Sequence, residues 1–213
     1  MKTITFAAVI FVALLVTQVP NQAAELKLAA VFSDHAVLQR DRPLPVWGQS
    51  DAGAKITVEF AGQKQSATAD ANGNWLVKLT PLTAESKPQT LVVTGSEQTL
   101  KCEDVLIGEV WHASGQSNMA MTVADVAKSL AVVKTEIAKA DFPAVRFLRI
   151  NEGESATPLV DLRQKGTWRV CSPTSVPSFS AVAFFFARRL HSDLQVPIAI
   201  IDTSRGGTPI EPY

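Results

Sequence analysis

The chain has 213 residues, and its 20 lysines and arginines balance its 20 aspartates and glutamates, giving a formal net charge of zero at pH 7. Hydrophobic residues make up 46% of it, which is the composition of a globular protein and excludes a disordered one. Because there is no basic excess and no interleaving of aromatic residues with lysine and arginine, the sequence gives no electrostatic support to nucleic-acid binding.

The first 24 residues differ in composition from the rest. Lys2 is the only charged residue before Glu25, residues 4–16 are almost all apolar, and small residues stand at Ala23 and Ala24. This pattern predicts a secretory signal peptide cleaved near Ala24, and the apolar run is too short for a comfortable membrane span. We therefore expect a secreted or periplasmic protein that does not associate with a membrane after cleavage. A retained membrane anchor is the alternative.

Residues 25–104 contain a series of short strand-like runs. Residues 55–60 and 75–79 alternate polar and apolar side chains, which is the period of a half-buried strand, and turn-forming clusters such as residues 70–74 separate such runs. No helical period is visible in this stretch. Many short strands at a spacing of about 8 to 12 residues predict an antiparallel β-sandwich domain over residues 25–104.

From residue 105 onward the pattern changes to that of an α/β protein. Apolar strand-like runs and helix-like periods alternate in the order strand, helix, strand, helix, strand; they cover residues 105–113, 122–137, 145–150, 179–194 and 198–201. This order predicts parallel strands with both faces of the sheet covered. Thr122 and Asp125 resemble a capping box at the start of the first helix. Residues 151–177 are expected to form a loop.

Two glycine-bearing loops directly follow buried strands of this second part, at residues 115–119 and 204–208. The carboxyl ends of parallel strands meet at one edge of a sheet, so the two loops should converge. Ser117 would then supply a nucleophilic hydroxyl, and backbone N–H groups at Gly206 and Gly207 would face a developing oxyanion, as acyl transfer requires. A polar helix cap at the first loop and a plain turn at the second stay open as alternatives.

Other chemistries fit the sequence less well. Neither loop has a phosphate-binding glycine pattern, and Met119 stands where the G-x-S-x-G elbow of α/β-hydrolases requires its second glycine. Cys102 and Cys171 could form one disulfide in an oxidising compartment, but two separate buried thiols are the default interpretation. Since no second cysteine pair and no histidine cluster accompany them, we expect no metal and no other cofactor.

Six short blocks of sequence are together far more specific than the serine loop alone. They are, in chain order, residues 31–39 (VFSDHAVLQ), 45–48 (PVWG), 108–111 (GEVW), 114–119 (SGQSNM), 179–183 (FSAVA) and 206–211 (GGTPIE). In this order they resemble the sialate O-acetylesterase family, a group of secreted carbohydrate esterases within the SGNH/GDSL hydrolases. The resemblance covers nearly all of the chain after residue 24.

The resemblance implies a fold and an activity. The fold would be a β-sandwich domain followed by a partial α/β/α flavodoxin-like (SGNH hydrolase) domain with a parallel sheet, over residues 105–213. The activity would be that of a serine carboxylic-ester hydrolase acting on O-acetylated sugars or glycans, as a sialate 9-O-acetylesterase does. The residues implied in the site are Ser117 as nucleophile, Gly206 and Gly207 with the Ser117 N–H as the oxyanion hole, and Gln116, Asn118 and Thr208 in substrate binding.

The sequence departs from the family in the residues that would activate the serine. The family's late Asp-x-x-His segment, which provides the base, and its Gln-Gly-Glu segment are not found in the 213 residues. The histidines that do occur are weak candidates: His112 has a poor aim at Ser117, and His35 and His191 are expected at the surface. A flavodoxin-like layer also needs about five strands. We therefore expect the sequence to be the N-terminal part of a longer enzyme, with little or no esterase activity alone.

Two alternative functions stay open. In the first, the chain is a non-catalytic carbohydrate-binding module in which Trp47 and Trp75 form a sugar-stacking face, although core packing would explain both tryptophans as well. In the second, it is a lipase-like serine hydrolase, which the sequence favours less because no long apolar lid segment is visible. Arg205 and Glu211 could contact a sugar or pair on the surface.

Overall fold

The structure is a computed structural model that describes residues 25–150, 157, 159, 161–162 and 166–207. The predicted signal peptide lies outside the described residues and stays a prediction. Among the helices that the structure does describe, none has the length and apolar character needed to span a bilayer.

In the described ranges the chain forms eleven β-strands, four α-helices and one short 3-10 helix. The strands are β1 (Lys27–Leu28), β2 (Val37–Gln39), β3 (Leu44–Gln49), β4 (Lys55–Phe60), β5 (Gln63–Thr68), β6 (Asn74–Leu79), β7 (Glu85–Gly95), β8 (Gln98–Ala113), β9 (Phe142–Arg149), β10 (Trp168–Cys171) and β11 (Ile198–Asp202). The helices are α1 (Ser117–Ala120), α2 (Val123–Ser129), α3 (Ala131–Ala138) and α4 (Ala181–Leu194), and the 3-10 helix is Val176–Ser178.

Strands alone form the first part of the chain, as the alternation predicted. One sheet has three strands in the order β1-β3-β6, and a second has eight, with the antiparallel strands β5, β4 and β7 at one side. The apolar positions of the alternating runs face inward, so that β6 buries Trp75, Val77 and Leu79 while Leu76 and Lys78 are exposed. Side chains from both sheets meet in a single apolar core, and burial of this core is the main source of stability.

The long strand β8 joins the antiparallel strands to the parallel ones. Its first half pairs antiparallel with β7, and its second half pairs parallel with β11. Between the pairs Leu91–Cys102 and Gln89–Val105, β8 has one residue more than β7, which is a β-bulge. Asp104 in this bulge has a φ of 53°. Because β8 is continuous, the result is one mixed sheet, and a separate β-sandwich domain is not confirmed; the division at residue 104 stays a prediction.

The parallel arrangement predicted for the second part is confirmed. The sheet order is β10-β9-β11-β8, and β11 pairs parallel with both β9 and β8. The prediction of one loop over residues 151–177 was wrong in part, because β10 pairs antiparallel with β9. The first predicted helix is divided into α2 and α3 by Leu130, whose backbone is extended, and the Thr122–Asp125 capping box is confirmed.

The block of residues 31–39 fastens the two parts of the molecule together. The N–H of His35 donates to the carbonyl of Glu103, and Ala36 accepts from the N–H of Leu106. On the other side, the Trp168 indole N–H donates to the carbonyl of Val31 at 2.8 Å. These hydrogen bonds to the backbone of the segment connect it to both β8 and β10, which gives the block a structural role.

The two cysteines are not bridged. Cys102 and Cys171 are both buried thiols, so the default interpretation of the sequence is confirmed. Burial raises the pKa of Cys171 to about 12, and its Sγ lies 3.9 Å from the carbonyl oxygen of Ala140. A thiol with so high a pKa stays protonated and unreactive near neutral pH.

Candidate active site

The two glycine-bearing loops meet at the carboxyl edge of the parallel strands. Ala113 at the end of β8 lies beside Asp202 at the end of β11. Beyond this pair, the N–H of Thr203 donates to the carbonyl of Ala113 at 2.9 Å, and the N–H of Arg205 donates to the carbonyl of Gly115 at 2.9 Å. The loops are therefore joined by direct hydrogen bonds, as expected from the order of elements.

The serine loop turns sharply and presents its hydroxyl to solvent. Gly115 has a φ of 136°, which residues with a side chain rarely adopt. Ser117 is exposed and is the first residue of α1, and no side chain caps this helix. The Ser117 Oγ donates to Gln116 Oε1 at 3.4 Å, which is long for an O–H hydrogen bond. The hydroxyl is therefore not used as a helix cap. Asn118 is also exposed.

Backbone hydrogen bonds hold the segment that follows the serine against the start of α4. The N–H of Val123 donates to the carbonyl of Phe179, and the N–H of Ala181 donates to the carbonyl of Met121, both at 2.9 Å. The Ser180 hydroxyl lies 3.6 Å from the sulfur of Met119. The sequence blocks at 114–119 and 179–183 are thus one structural unit, a relation that their separation in the chain hides.

The glycine turn is open to solvent and is fixed at its base by a buried carboxylate. Asp202 is 1% exposed, and its Oδ1 accepts from the N–H of Ser204 at 2.9 Å and from the Ser204 hydroxyl at 2.5 Å. Gly207 has a φ of 79°, and a Cβ built at Gly206 or Gly207 would meet no atom of the described residues within 4 Å. Thr208 lies outside the described residues, as does Glu211.

The three histidines of the chain all lie among the described residues, and each has a partner other than Ser117. His112 Nε2 lies 2.7 Å from the Thr203 hydroxyl, so it reaches the same edge but contacts the neighbouring loop. His35 Nδ1 lies 2.6 Å from Asp104, and His191 Nδ1 lies 2.8 Å from the carbonyl of Val196. His191 is half-buried, which differs from the surface position expected for it. None is placed as the general base of Ser117.

A cleft of about 810 Å³ opens at the same edge, beside the end of β11. Its lining includes Asp202 and extends to Thr122, but not to Ser117. Phe147 and Phe179, stacked with ring centroids 4.0 Å apart, form an apolar wall. Arg149 and Arg169 are the basic residues in the lining, and Arg169 donates to the Ser178 hydroxyl at 3.2 Å. The sequence analysis did not single out this cleft, since its lining comes from several distant segments.

Among the described residues, no three histidine, cysteine, aspartate or glutamate side chains are grouped so that they could hold a metal ion. The sequence analysis did not identify Asp202, although an acidic residue directly after a fully apolar run was a recognisable signal. It also did not identify Thr203, the partner of His112, for which the sequence carries no such signal. Trp75, one of the two tryptophans considered for sugar stacking, is 3% exposed and packs in the core.

Comparisons with known proteins agree with the resemblance in the sequence. The sialate O-acetylesterase of Rattus norvegicus is 31% identical over 207 residues, which are 87% of this chain and 36% of that protein. The human protein of the same name is 31% identical over 205 residues, and the mouse protein is 29% identical over 221 residues. These matches cover 88% and 94% of this chain and 38% and 40% of the relatives. No protein-family model matches the chain.

A solved structure of a carbohydrate acetylesterase has a similar fold over most of this chain. The crystal structure of a carbohydrate acetylesterase from Xanthomonas citri superposes with a TM-score of 0.81 and is 37% identical, over 87% of this chain and 41% of that one. The chain spans between 36% and 40% of the length of the curated relatives named above. Over the part of those proteins that it spans, the chain is similar to the sialate O-acetylesterases and to this carbohydrate acetylesterase.

Proposed function

We propose that this chain contributes the nucleophile and part of the oxyanion hole of an enzyme that hydrolyses O-acetyl esters of carbohydrates. The observation that carries the proposal is the hydrogen bond from the Arg205 N–H to the Gly115 carbonyl, which joins the serine loop to the glycine turn at one sheet edge. Nucleophile and backbone donors from two loops are the parts that acyl transfer needs.

In the proposed reaction, the Ser117 oxygen forms a bond to the acetyl carbonyl carbon, and the carbonyl oxygen becomes an oxyanion. Backbone N–H groups of Ser117 and Gly207 would donate to that oxygen. The serine proton passes to a base, the carbon–oxygen bond to the sugar breaks as the carbonyl re-forms, and the departing sugar oxygen takes up a proton to become a hydroxyl. Water then hydrolyses the acetylated serine to release acetate. The open space around Gly206 and Gly207 is consistent with this role, because a side chain there would occupy the position of the substrate.

The sugar would occupy the cleft beside Asp202, whose volume lies in the range of known ligand sites. Gln116 and Asn118 are exposed on the serine loop, and we propose them as substrate contacts. Thr208 is proposed for the same role from the sequence alone.

We further propose that these residues do not hydrolyse esters efficiently alone. Ser117 needs a group to accept its proton, and all three histidines are engaged elsewhere. The relatives are more than twice as long as this chain, so the base can come from the length that it does not span. His112 is the second choice, since it contacts the hydroxyl of Thr203 in the loop that carries the glycine turn.

Secretion also stays a proposal, which N-terminal sequencing of the exported protein would test.

A chimera would test the proposed function. In it, this chain replaces the part of the Xanthomonas citri acetylesterase that it matches, and acetate release is measured from 9-O-acetyl-N-acetylneuraminic acid and from acetylated xylo-oligosaccharides. We expect the chimera to release acetate, and Ser117→Ala to reduce the rate by a factor of about 10³ or more, because residues of a catalytic unit carry effects of that size.

The matched control is Ser129→Ala, which removes an exposed hydroxyl at the end of α2 and should leave the rate unchanged. A chimera that keeps its activity in the Ser117→Ala form would overturn the assignment of the nucleophile. Robust, Ser117-dependent release by the 213-residue chain alone would instead overturn the proposal that the base lies outside it, and would bring His112 back as the candidate.

A further inference from the structure

A second cleft, of about 390 Å³, lies in the antiparallel part of the molecule. It opens between β1, the ends of β3 and β6, and the first half of β8. It shares no lining residue with the cleft at the serine edge, although the sequence neighbours Asp161 and Leu162 line one cleft each. Nothing in the proposed ester hydrolysis uses this second cleft.

Aromatic side chains form one side of this cleft. Phe32 and Trp47 are in edge-to-face contact, with centroids 4.8 Å apart, and Trp47 is half-buried. Trp75 lines the cleft from the core side. A half-buried indole beside a cavity provides a flat apolar surface that the rest of the protein covers only in part.

Gly48 allows this arrangement. A Cβ at that position would lie 1.9 Å from the carbonyl oxygen of Lys27 and 2.7 Å from Cζ2 of Trp75. Glycine thus lets β1 and the Trp75 indole approach the backbone of β3, and any side chain would displace them. This gives a physical reason for the sequence block at residues 45–48, which the proposed esterase site does not explain.

Polar groups with hydrogen-bonding capacity surround the aromatic side. The Gln49 amide donates to the Asn74 amide oxygen at 3.3 Å, and both residues line the cleft.

We propose that this cleft binds one sugar ring of a glycan, with Trp47 as the apolar platform and the Gln49–Asn74 amide pair, on the same face of the sheet, as the hydrogen-bonding groups. A sugar ring combines an apolar face with hydroxyls that both donate and accept, so it matches an aromatic wall beside amides. The amides are neutral, and the cleft is of the size that small-molecule sites have.

The test is a titration of the 213-residue chain with xylohexaose, cellohexaose and N-acetylneuraminic acid, by calorimetry and by tryptophan fluorescence. We expect at least one probe to bind, and Trp47→Ala and Gln49→Ala each to weaken its binding, the former about tenfold or more. Gln49 is exposed, so this second variant keeps the test valid if Trp47→Ala unfolds. Gln65→Ala is the matched control, since Gln65 is an exposed glutamine of β5 and does not line the cleft.

Three results would overturn the proposal. They are a dissociation constant weaker than about 10 mM for every probe, equal binding by the wild type and both cleft variants, or equal losses in the Gln65→Ala control. Because this experiment measures binding and not acetate release, failure of the sugar-binding proposal is distinguishable from failure of the proposed esterase function.

Discussion

The two edges of the parallel sheet use polar side chains in opposite ways. At the amino edge, Arg146 is 3% exposed and its guanidinium donates to both oxygens of Asp104, at 2.8 and 3.2 Å, while His35 binds the same carboxylate. At the carboxyl edge, Ser117 and Gly207 are exposed, and among the described residues the serine hydroxyl has one long contact. Polar groups at the first edge hold the fold together, whereas the Ser117 hydroxyl at the second edge is open to solvent.

Glycines show the same contrast. Gly108, where the parallel half of β8 begins, has no room for a side chain, since a Cβ would lie 2.0 Å from the Pro197 carbonyl oxygen. Among the described residues, a Cβ at Gly206 would meet nothing within 4 Å. Both glycines belong to sequence blocks of the family resemblance, but packing against the described residues explains only the first. The second is accounted for either by a plain turn or by the proposed oxyanion site.

The largest effect is expected from Gly108→Ala. Its methyl group would force β8 away from the start of β11, so we expect the free energy of unfolding to fall by about 3 kcal/mol or more. Urea denaturation followed by tryptophan fluorescence would measure it, with Gly206→Ala as the control. Equal midpoints for the two variants would show that the contrast between the edges is wrong.

Asp104→Asn should have the next largest effect. It leaves the buried guanidinium of Arg146 without its counter-charge, which costs about 3–5 kcal/mol in fully buried pairs. Because the Asp104 side chain is 29% exposed, we expect a smaller loss, of about 2 kcal/mol. The control is Asp193→Asn, whose partner Arg189 is 78% exposed, and which should change the unfolding free energy by less than about 0.5 kcal/mol. Equal losses in the two variants would refute a special role for the amino edge.

The amino edge should also make stability depend on acid pH. Burial acts to raise the pKa of Asp104, but the hydrogen bonds from Arg146 and His35 outweigh it and lower the pKa overall. A lowered carboxyl pKa stabilises the fold fully above the unfolded value of about 4 and loses that contribution as the pH falls through the folded value.

The matching measurement is urea denaturation from pH 6 down to about pH 2. We expect the wild type to lose more unfolding free energy over that range than Asp104→Asn, which has no such carboxyl group. Parallel pH profiles for the two proteins would contradict the assignment of this carboxylate as a stabilising group.

The smallest effect on stability is expected at the carboxyl edge. Ser117→Ala removes an exposed hydroxyl and Gly206→Ala adds a methyl group in open space, so both should stay within about 0.5 kcal/mol of the wild type. Thermal unfolding would measure this. A loss of several degrees in either variant would show that the edge is part of the fold and not set aside for chemistry.

Local sequence patterns predicted some elements and missed others for identifiable reasons. The alternation in β4 and β6 was read correctly, because each strand has one face in the core and one in solvent. The continuity of β8 was missed, since Glu103 and Asp104 interrupt its apolar pattern at the bulge. β10 was missed because it has four residues, too few for a periodic signal. The continuity of β8 and the formation of β10 both depend on hydrogen bonding to a neighbouring strand, which the local sequence pattern does not show.

Sequence patterns likewise predicted only part of the candidate site. A glycine and a serine after an apolar run indicated the loop, and the order of strands and helices placed the second loop at the same edge. Neither pattern showed that His112 turns toward Thr203, or that Asp202 anchors the glycine turn. These contacts depend on side-chain directions at the end of a packed sheet.

The sequence by itself determined which segments are strands and helices in most of the chain, the parallel pairing after residue 105 and the two loops that follow β8 and β11. Tertiary structure alone decided that β8 makes one sheet of two parts, and that Arg146 meets Asp104 across 42 residues. It also decided that a cleft lies between Trp47 and Asn74. The reason is that hydrophobic period and turn chemistry act over a few neighbours, whereas buried ion pairs and cavities arise only when distant segments pack together.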